Sequence, residues 1–120
     1  MVMFEKDYIM RQIKGMSEAL ASILFKKGDT LQIEEELVNE QAKELYKKLQ
    51  VLLKKKQYQD INTLLLQTYQ AQELDYLKIT IAIYDILNEL DEEALEAGGT
   101  SRNEMYENLQ SIAQTYGFLL

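Results

Sequence analysis

Apolar residues recur at steps of four and three near the start of the chain, as they do along one side of an α-helix. The residues that follow this spacing are Ile9, Ile13, Met16, Leu20 and Ile23. They predict a helix from about Glu5 to Phe25 with this stripe facing the core. Further apolar residues lie off the stripe, namely Met10, Ala21, Leu24 and Phe25. We therefore expect this helix either to be covered on two sides or to meet a partner.

Two more helices are predicted before residue 73. Segment 28–56 has acidic residues near its start and lysines at its end, which is the charge order that a helix dipole favours. Either Asp29 or Thr30 can cap it, so one helix is predicted over this segment. Its later apolar face is formed by Leu45, Leu49, Leu52 and Leu53. A shorter helix over 57–72 would turn inward Ile61, Leu64, Leu65 and Thr68.

Segment 77–85 fits two patterns. Its isoleucines alternate with Lys78, Thr80 and Ala82 as in a half-buried strand, but no second strand pattern is present for it to pair with. A helical stripe also fits, formed by Leu74, Leu77, Ile81, Tyr84, Leu87 and Leu90. We therefore predict one long central helix from residue 73 to about residue 95.

The clearest break in the chain is at residues 96–104, where two glycines precede Ser101 and Glu104 in the spacing of a capping box. A last helix is predicted to begin there and to end at Gly117. Its inward stripe would be Met105, Leu109, Ile112, Ala113 and Tyr116. The expected fold is all-α, with about five helices packed as antiparallel helical hairpins in a single domain over residues 1–120.

Composition supports this prediction and excludes several chemistries. The 120 residues include no proline and only five glycines, which removes the usual punctuation of strands and tight turns. Cysteine and histidine are both absent, so disulfides, ordinary zinc sites and catalysis by Cys–His or Ser–His–Asp groups are excluded. Any bound metal would need oxygen ligands. We expect no catalytic residues and no cofactor, so the protein is not expected to be an enzyme.

One acidic segment supports an alternative prediction. It contains Asp85, Glu89, Asp91, Glu92, Glu93 and Glu96. Carboxylates four residues apart on a helix could supply two oxygen ligands to magnesium or manganese, so the alternative is a metal-dependent hydrolase. No EF-hand spacing is present, and a solvated helix face is the simpler interpretation. On the predicted central helix these acids would approach the C-terminal end, where the dipole disfavours them.

The basic residues favour neither nucleic acid nor a membrane span. Lysines cluster at residues 47–56, yet the net charge is −7 and residues 57–120 contain only Lys78 and Arg102 as bases. Nucleic acid is therefore not an expected partner. Charged residues interrupt the first apolar run, and the start lacks the order of a secretory signal, so a cytoplasmic location is expected. Peripheral membrane association through the first helix is a further alternative.

Residues 45–68 resemble one tetratricopeptide-type helical hairpin. The residues that carry the likeness are Leu45, Leu49, Leu52, Tyr58, Ile61, Leu65 and Thr68. Ile61 and Thr68 replace the usual small residues, and Lys56 stands where glycine is common. The resemblance implies packed helix pairs and a concave surface that binds a peptide or protein segment.

The first helix carries a second resemblance. It resembles the start of a family of short bacterial helical proteins of unknown function, through Asp7, Tyr8, Ile9, Met10, Arg11, Ile13, Leu20, Ala21, Ile23 and Leu24. The resemblance implies a bacterial helical protein and assigns no activity. From the wide apolar surface of this helix we expect a protein-interaction or scaffold module, with another protein or a second copy of itself as partner. The predicted partner-binding residues are Tyr8, Ile9, Arg11, Gln12 and Lys14.

Overall fold

The computed structural model describes residues 2–118, and within this range the side chains from Tyr8 onward. This part of the chain forms seven helices and no strand, which confirms the all-α prediction. They are α1 (Val2–Leu24), α2 (Ile33–Glu36), α3 (Glu40–Lys54), α4 (Tyr58–Thr68), α5 (Leu74–Asn88), α6 (Glu92–Ala97) and α7 (Arg102–Thr115). The number exceeds the predicted five because two of the predicted helices are each divided in two.

The predicted helix over 28–56 is interrupted at residues 37–39, between α2 and α3. The Asp75 carboxylate accepts hydrogen bonds from the backbone N–H groups of Val38 and Asn39, both at 2.8 Å. The Asn39 side chain in turn caps α3 by accepting from the Ala42 N–H at 2.9 Å. A buried acid on α5 therefore sets where α3 begins.

The predicted central helix also divides, into α5 and α6. Most of α5 is buried, including Ile79, Ile81 and Ile83, which confirms a core helix over this segment. It ends at Asn88, and the Asp91 side chain then caps α6 by accepting from the Ala94 N–H at 2.8 Å. Glu92 and Glu93 lie in the first turn of α6, so the prediction that they approach a helix C-terminus is wrong. Acidic side chains are favourable in that first turn.

Helix α1 packs against α5 on one side and α7 on another, so its apolar surface is covered on two sides. Ile13, Met16 and Leu20 are buried, as the stripe predicted. Ile23 does not follow the stripe, because its side chain is 65% exposed. Phe25 lies just beyond the helix and is buried instead.

The remaining helices close the fold around α5. Helices α3 and α4 are joined by residues 55–57 and pack against each other, and α4 also contacts α7. Gly98 ends α6 against the ring of Tyr58, where an added Cβ would lie 2.1 Å from a ring carbon, so only glycine fits. Ser101 caps α7 by accepting from the Glu104 N–H at 3.2 Å, which confirms the predicted start.

Candidate functional site

The predicted partner-binding residues lie on different sides of α1. Tyr8, Arg11 and Lys14 are exposed, Gln12 is half-buried, and Ile9 is a half-buried residue that packs against the core. The signature residue Asp7 lies outside the described side chains. The helix therefore does not bring the five residues onto one surface.

The side of α1 turned away from the core is called here the outer face. It comprises Tyr8, Gly15, Ala19, Ser22 and Ile23, and all five are exposed. Tyr8 at 57% and Ile23 at 65% exposure are the large apolar groups at its two ends. Between them Gly15 has open space above its backbone, with nothing within 4 Å of a Cβ built there. The outer face is thus a strip of small residues with an apolar side chain at each end.

Lys14 points to a different place, a groove between α1, residues 28–31 and α5. Two adjoining cavities of about 240 Å³ and 290 Å³ form this groove, and both are lined by Thr30, Leu31, Asp85 and Glu89. The smaller cavity also touches Lys14, Ser17, Glu18 and Asp29, and the larger one touches Ile33, Tyr46 and Ile86. We call this surface the acidic groove, because four carboxylates line it beside one lysine.

Local hydrogen bonds hold the segment that closes the groove. The Thr30 hydroxyl donates to Asp85 Oδ2 at 2.9 Å and ties the segment to α5. The Leu31 N–H donates to Asp29 Oδ1 at 3.0 Å, and Gly28 turns the chain with a φ of 77°, a conformation that favours glycine. As a result Leu31 is held out toward solvent at the rim of both cavities.

Apolar groups and unpaired charges coexist in the acidic groove. Leu31 is 83% exposed and Ile86 is 46% exposed. Asp85 and Glu89 form no ion pair with any described residue. The Ser17 hydroxyl is buried and has no hydrogen-bond partner within the described part of the protein. Burial raises the pKa of Tyr46, which borders the larger cavity, and the charge of Glu34 raises it further.

The acidic segment does not assemble a metal centre in the described structure. No three acidic side chains there come close enough together to hold a metal ion. Asp91 is a helix cap, and Glu92 accepts from Arg102 at 2.8 Å. Only Asp85 and Glu89 of the predicted set reach the groove, Asp85 from α5 and Glu89 from the residue that follows this helix.

The lysine cluster is exposed and lies on and after the end of α3. Lys47, Lys48 and Lys54 belong to the helix, and Lys56 follows it with a left-handed φ of 58°. Lys48 borders a third cavity of about 460 Å³ between α3, α4 and the start of α5. The cavity is also lined by Leu45, Leu64, Tyr69 and Tyr76.

Other buried polar side chains have partners and hold the helices together. The Tyr84 hydroxyl donates to Asn62 Oδ1 at 2.7 Å and accepts from Asn108 Nδ2 at 3.2 Å. Asn62 Nδ2 donates to the Thr100 hydroxyl at 2.7 Å. Burial raises the pKa of Tyr84 far above its usual range. This set joins α4, α5 and α7, so we assign it a structural role.

Sequence reasoning missed three features of the groove: Ser17, Thr30 and Leu31. Leu31 had the strongest signal, because it is an apolar residue between Thr30 and Gln32 that fits no helical stripe. Ser17 gave no local signal, and Thr30 was predicted only as a possible helix cap, since the groove forms only when α1 and α5 are brought together.

Comparison with known proteins gives one match. The profile of a family of unknown function (DUF6483) matches residues 3–117, far more of the chain than the first helix that suggested a family. No curated protein and no solved structure matches the chain. Within the described residues, no helix is both long and apolar enough to cross a bilayer.

Proposed function

Because this chain belongs to the family of unknown function (DUF6483), whose name assigns no activity, we propose a role from its geometry: a non-catalytic interaction module that pairs with a second copy through α1. The observation that carries this proposal is the outer face. Tyr8 and Ile23 expose more than half of their side chains there, with small residues between them. Exposed apolar groups at both ends of a strip of small residues favour contact with another helix.

The spacing along the outer face favours an antiparallel pair. If Gly15 faces Gly15 of a second copy, Tyr8 and Ile23 lie about 11 and about 12 Å from the crossing point at the usual helical rise. Tyr8 of one copy then meets Ile23 of the other, twice over. The same patch serves both copies, as a two-fold interface requires.

Charge also supports this orientation. Arg11 and Glu18 are exposed on the same helix, about 6 and about 4.5 Å from Gly15 along the axis. In the antiparallel pair each arginine lies near a glutamate of the other copy, whereas a parallel pair would not place these opposite charges together. Tyr8 and Arg11 thus keep the predicted partner-binding role, while Lys14 and Ile9 face elsewhere.

The contact is expected to be weak. One pair of helices covers less than the roughly 800 Å² per partner that a stable interface buries, so a dissociation constant in the micromolar range or above is expected. A cross-linking experiment suits such a contact, and the chain has no cysteine of its own to interfere.

Single cysteines would test the arrangement. Under mild oxidation Gly15→Cys is expected to form a disulfide-linked dimer, because the two-fold axis brings that position against itself. Tyr8→Cys and Ile23→Cys are expected to cross-link when mixed but not separately. Val51→Cys, at an exposed site on α3, is the control and should remain monomeric.

Two results would contradict the proposal. Cross-linking of Tyr8→Cys with itself would mean a parallel pair, and no cross-link at any α1 position would reject pairing through this face. Capture of the tagged protein from its host would then look for a different protein partner. Binding heat with magnesium or manganese in calorimetry would instead favour the hydrolase alternative, which no specific feature of the described residues supports.

A further inference from the structure

The acidic groove offers a second candidate binding site, which adjoins the self-pairing surface and shares Glu18 with it. Leu31 and Ile86 expose apolar side chains at its rim, and Asp85 and Glu89 line its wall without an ion-pair partner among the described residues. The apolar pair and the like charges line the same cavity. Exposed apolar groups beside carboxylates favour a ligand that is both cationic and apolar.

Ser17 provides a second, independent observation. Its side chain is 1% exposed, lines the smaller cavity, and has no hydrogen-bond partner within the described structure. A buried hydroxyl usually has a partner, because leaving it unsatisfied costs free energy. Because the oxygen itself is enclosed, a ligand group that enters this cavity supplies the missing bond once the Ser17 side chain turns toward it.

The spacing of the acidic groups favours a cation on a long side chain over a metal ion. Among the described residues no three acidic groups cluster closely enough for a compact ion. Their charge is spread along the groove, which suits a cation on a long side chain next to apolar surface. The Thr30 hydroxyl and the Asp85 carboxylate can both accept hydrogen bonds from such a group.

We propose that the acidic groove binds a basic amphipathic segment of a partner protein. A lysine or arginine side chain of that segment enters the smaller cavity beside Ser17 and Asp85, and its apolar residues cover Leu31 and Ile86. This inference rests on the proposed interaction role but uses a neighbouring surface, which shares Glu18 with the self-pairing contact, and it names the chemistry of a second partner. The net charge of −7 attracts such a segment from a distance.

Lys14 is the position where a substitution should strengthen binding of the segment instead of weakening it. Among the described residues it is the only basic one that lines the groove, so it repels a cationic ligand. Lys14→Ala should therefore strengthen binding about threefold. Asp85→Asn and Glu89→Gln should each weaken it by about three- to tenfold, and Leu31→Ser should weaken it through lost apolar contact.

The test is fluorescence anisotropy with the full chain and a labelled synthetic peptide of leucine and lysine arranged at helical spacing. A peptide of the same composition in scrambled order separates amphipathic recognition from general charge attraction. Spermine, added as a competitor, separates a protein segment from a small polyamine. The control variants are Glu107→Gln and Leu66→Ser, exposed residues that line neither cavity.

The expected result is preference for the amphipathic peptide, weakened by the groove variants and unchanged by the controls. Equal binding of the scrambled peptide, unchanged affinity in the groove variants, or displacement by spermine at concentrations similar to the peptide would each overturn the inference. Glu89→Gln keeps the test valid if Asp85→Asn fails to fold, since Glu89 is exposed. If the peptide does not bind but the α1 cross-links still form, only this inference is rejected. If the peptide binds but no α1 cross-link forms, only the self-pairing is rejected.

Discussion

Tyr84 and Asp85 are consecutive residues of α5, yet their polar groups meet opposite environments. The Tyr84 hydroxyl is enclosed and bonded to two amide side chains, which connect α4, α5 and α7. Asp85 lines an open groove where its one side-chain bond comes from Thr30 and where Leu31 stands exposed. Complete hydrogen bonding indicates a structural role, whereas spare polar capacity beside exposed apolar groups is the basis on which we propose binding. The two sides of α5 should therefore respond differently to mutation.

The largest difference in the free energy of unfolding is expected between Arg102→Ala and Lys14→Ala. Arg102 is buried and donates to the Glu92 carboxylate and to the backbone carbonyls of Asn88 and Leu90 at the end of α5. Arg102→Ala leaves these acceptors unsatisfied, so it should lower the free energy of unfolding by about 3 kcal/mol. Lys14→Ala, in the groove, should change it by less than about 0.5 kcal/mol. Urea unfolding of both variants measures the contrast, and similar losses would contradict it.

A smaller effect is expected at Tyr84. Tyr84→Phe removes the hydroxyl that satisfies Asn62 and Asn108, so the free energy of unfolding should fall by about 1 to 2 kcal/mol at neutral pH. Tyr8→Phe removes an exposed hydroxyl and should have little effect. Urea unfolding at one pH compares the two substitutions, and equal effects would mean that the buried cluster contributes little to stability.

The same tyrosine gives a pH dependence whose sign follows from burial. Burial raises the pKa of Tyr84, so the folded state keeps its proton where the unfolded chain begins to lose it, at about pH 10. The unfolded state then binds fewer protons, and stability must fall as the pH rises above about 10, by up to about 1.4 kcal/mol per pH unit. Burial also raises the pKa of Tyr116, which adds to the slope. Tyr84→Phe should make the decline shallower in urea titrations on both sides of pH 10, and an unchanged slope would contradict this.

The difference between the two sides of α5 also explains what the sequence could predict. The stripe on α1 and the Ser101 cap of α7 depend on residues close together in the chain, so local patterns found them. The break before α3 depends on Asp75. Its carboxylate accepts hydrogen bonds from the N–H groups of Val38 and Asn39, which are more than thirty positions away in the sequence. The groove likewise forms between Thr30 and Asp85, which are 55 positions apart. Its acidic wall was visible in the sequence, but Ser17 and Leu31 gained meaning only from packing.

The smallest expected change in the free energy of unfolding is at Ser17. Its sign is opposite to the change expected at Thr100, although both substitutions remove a buried hydroxyl. The buried hydroxyl of Ser17 has no partner among the described residues, so Ser17→Ala should raise the free energy of unfolding by about 0.5 to 1 kcal/mol. Thr100→Val also removes a buried hydroxyl while keeping the shape, but it takes away the acceptor of Asn62 and should lower stability by about 1 kcal/mol. Thermal and urea unfolding of both variants tests this. If Ser17→Ala also lowers stability, the hydroxyl is satisfied in the free protein and no longer supports a site that awaits a ligand. If it stabilises the chain and weakens peptide binding, the protein retains an unpaired group at a cost to its own stability because that group serves recognition.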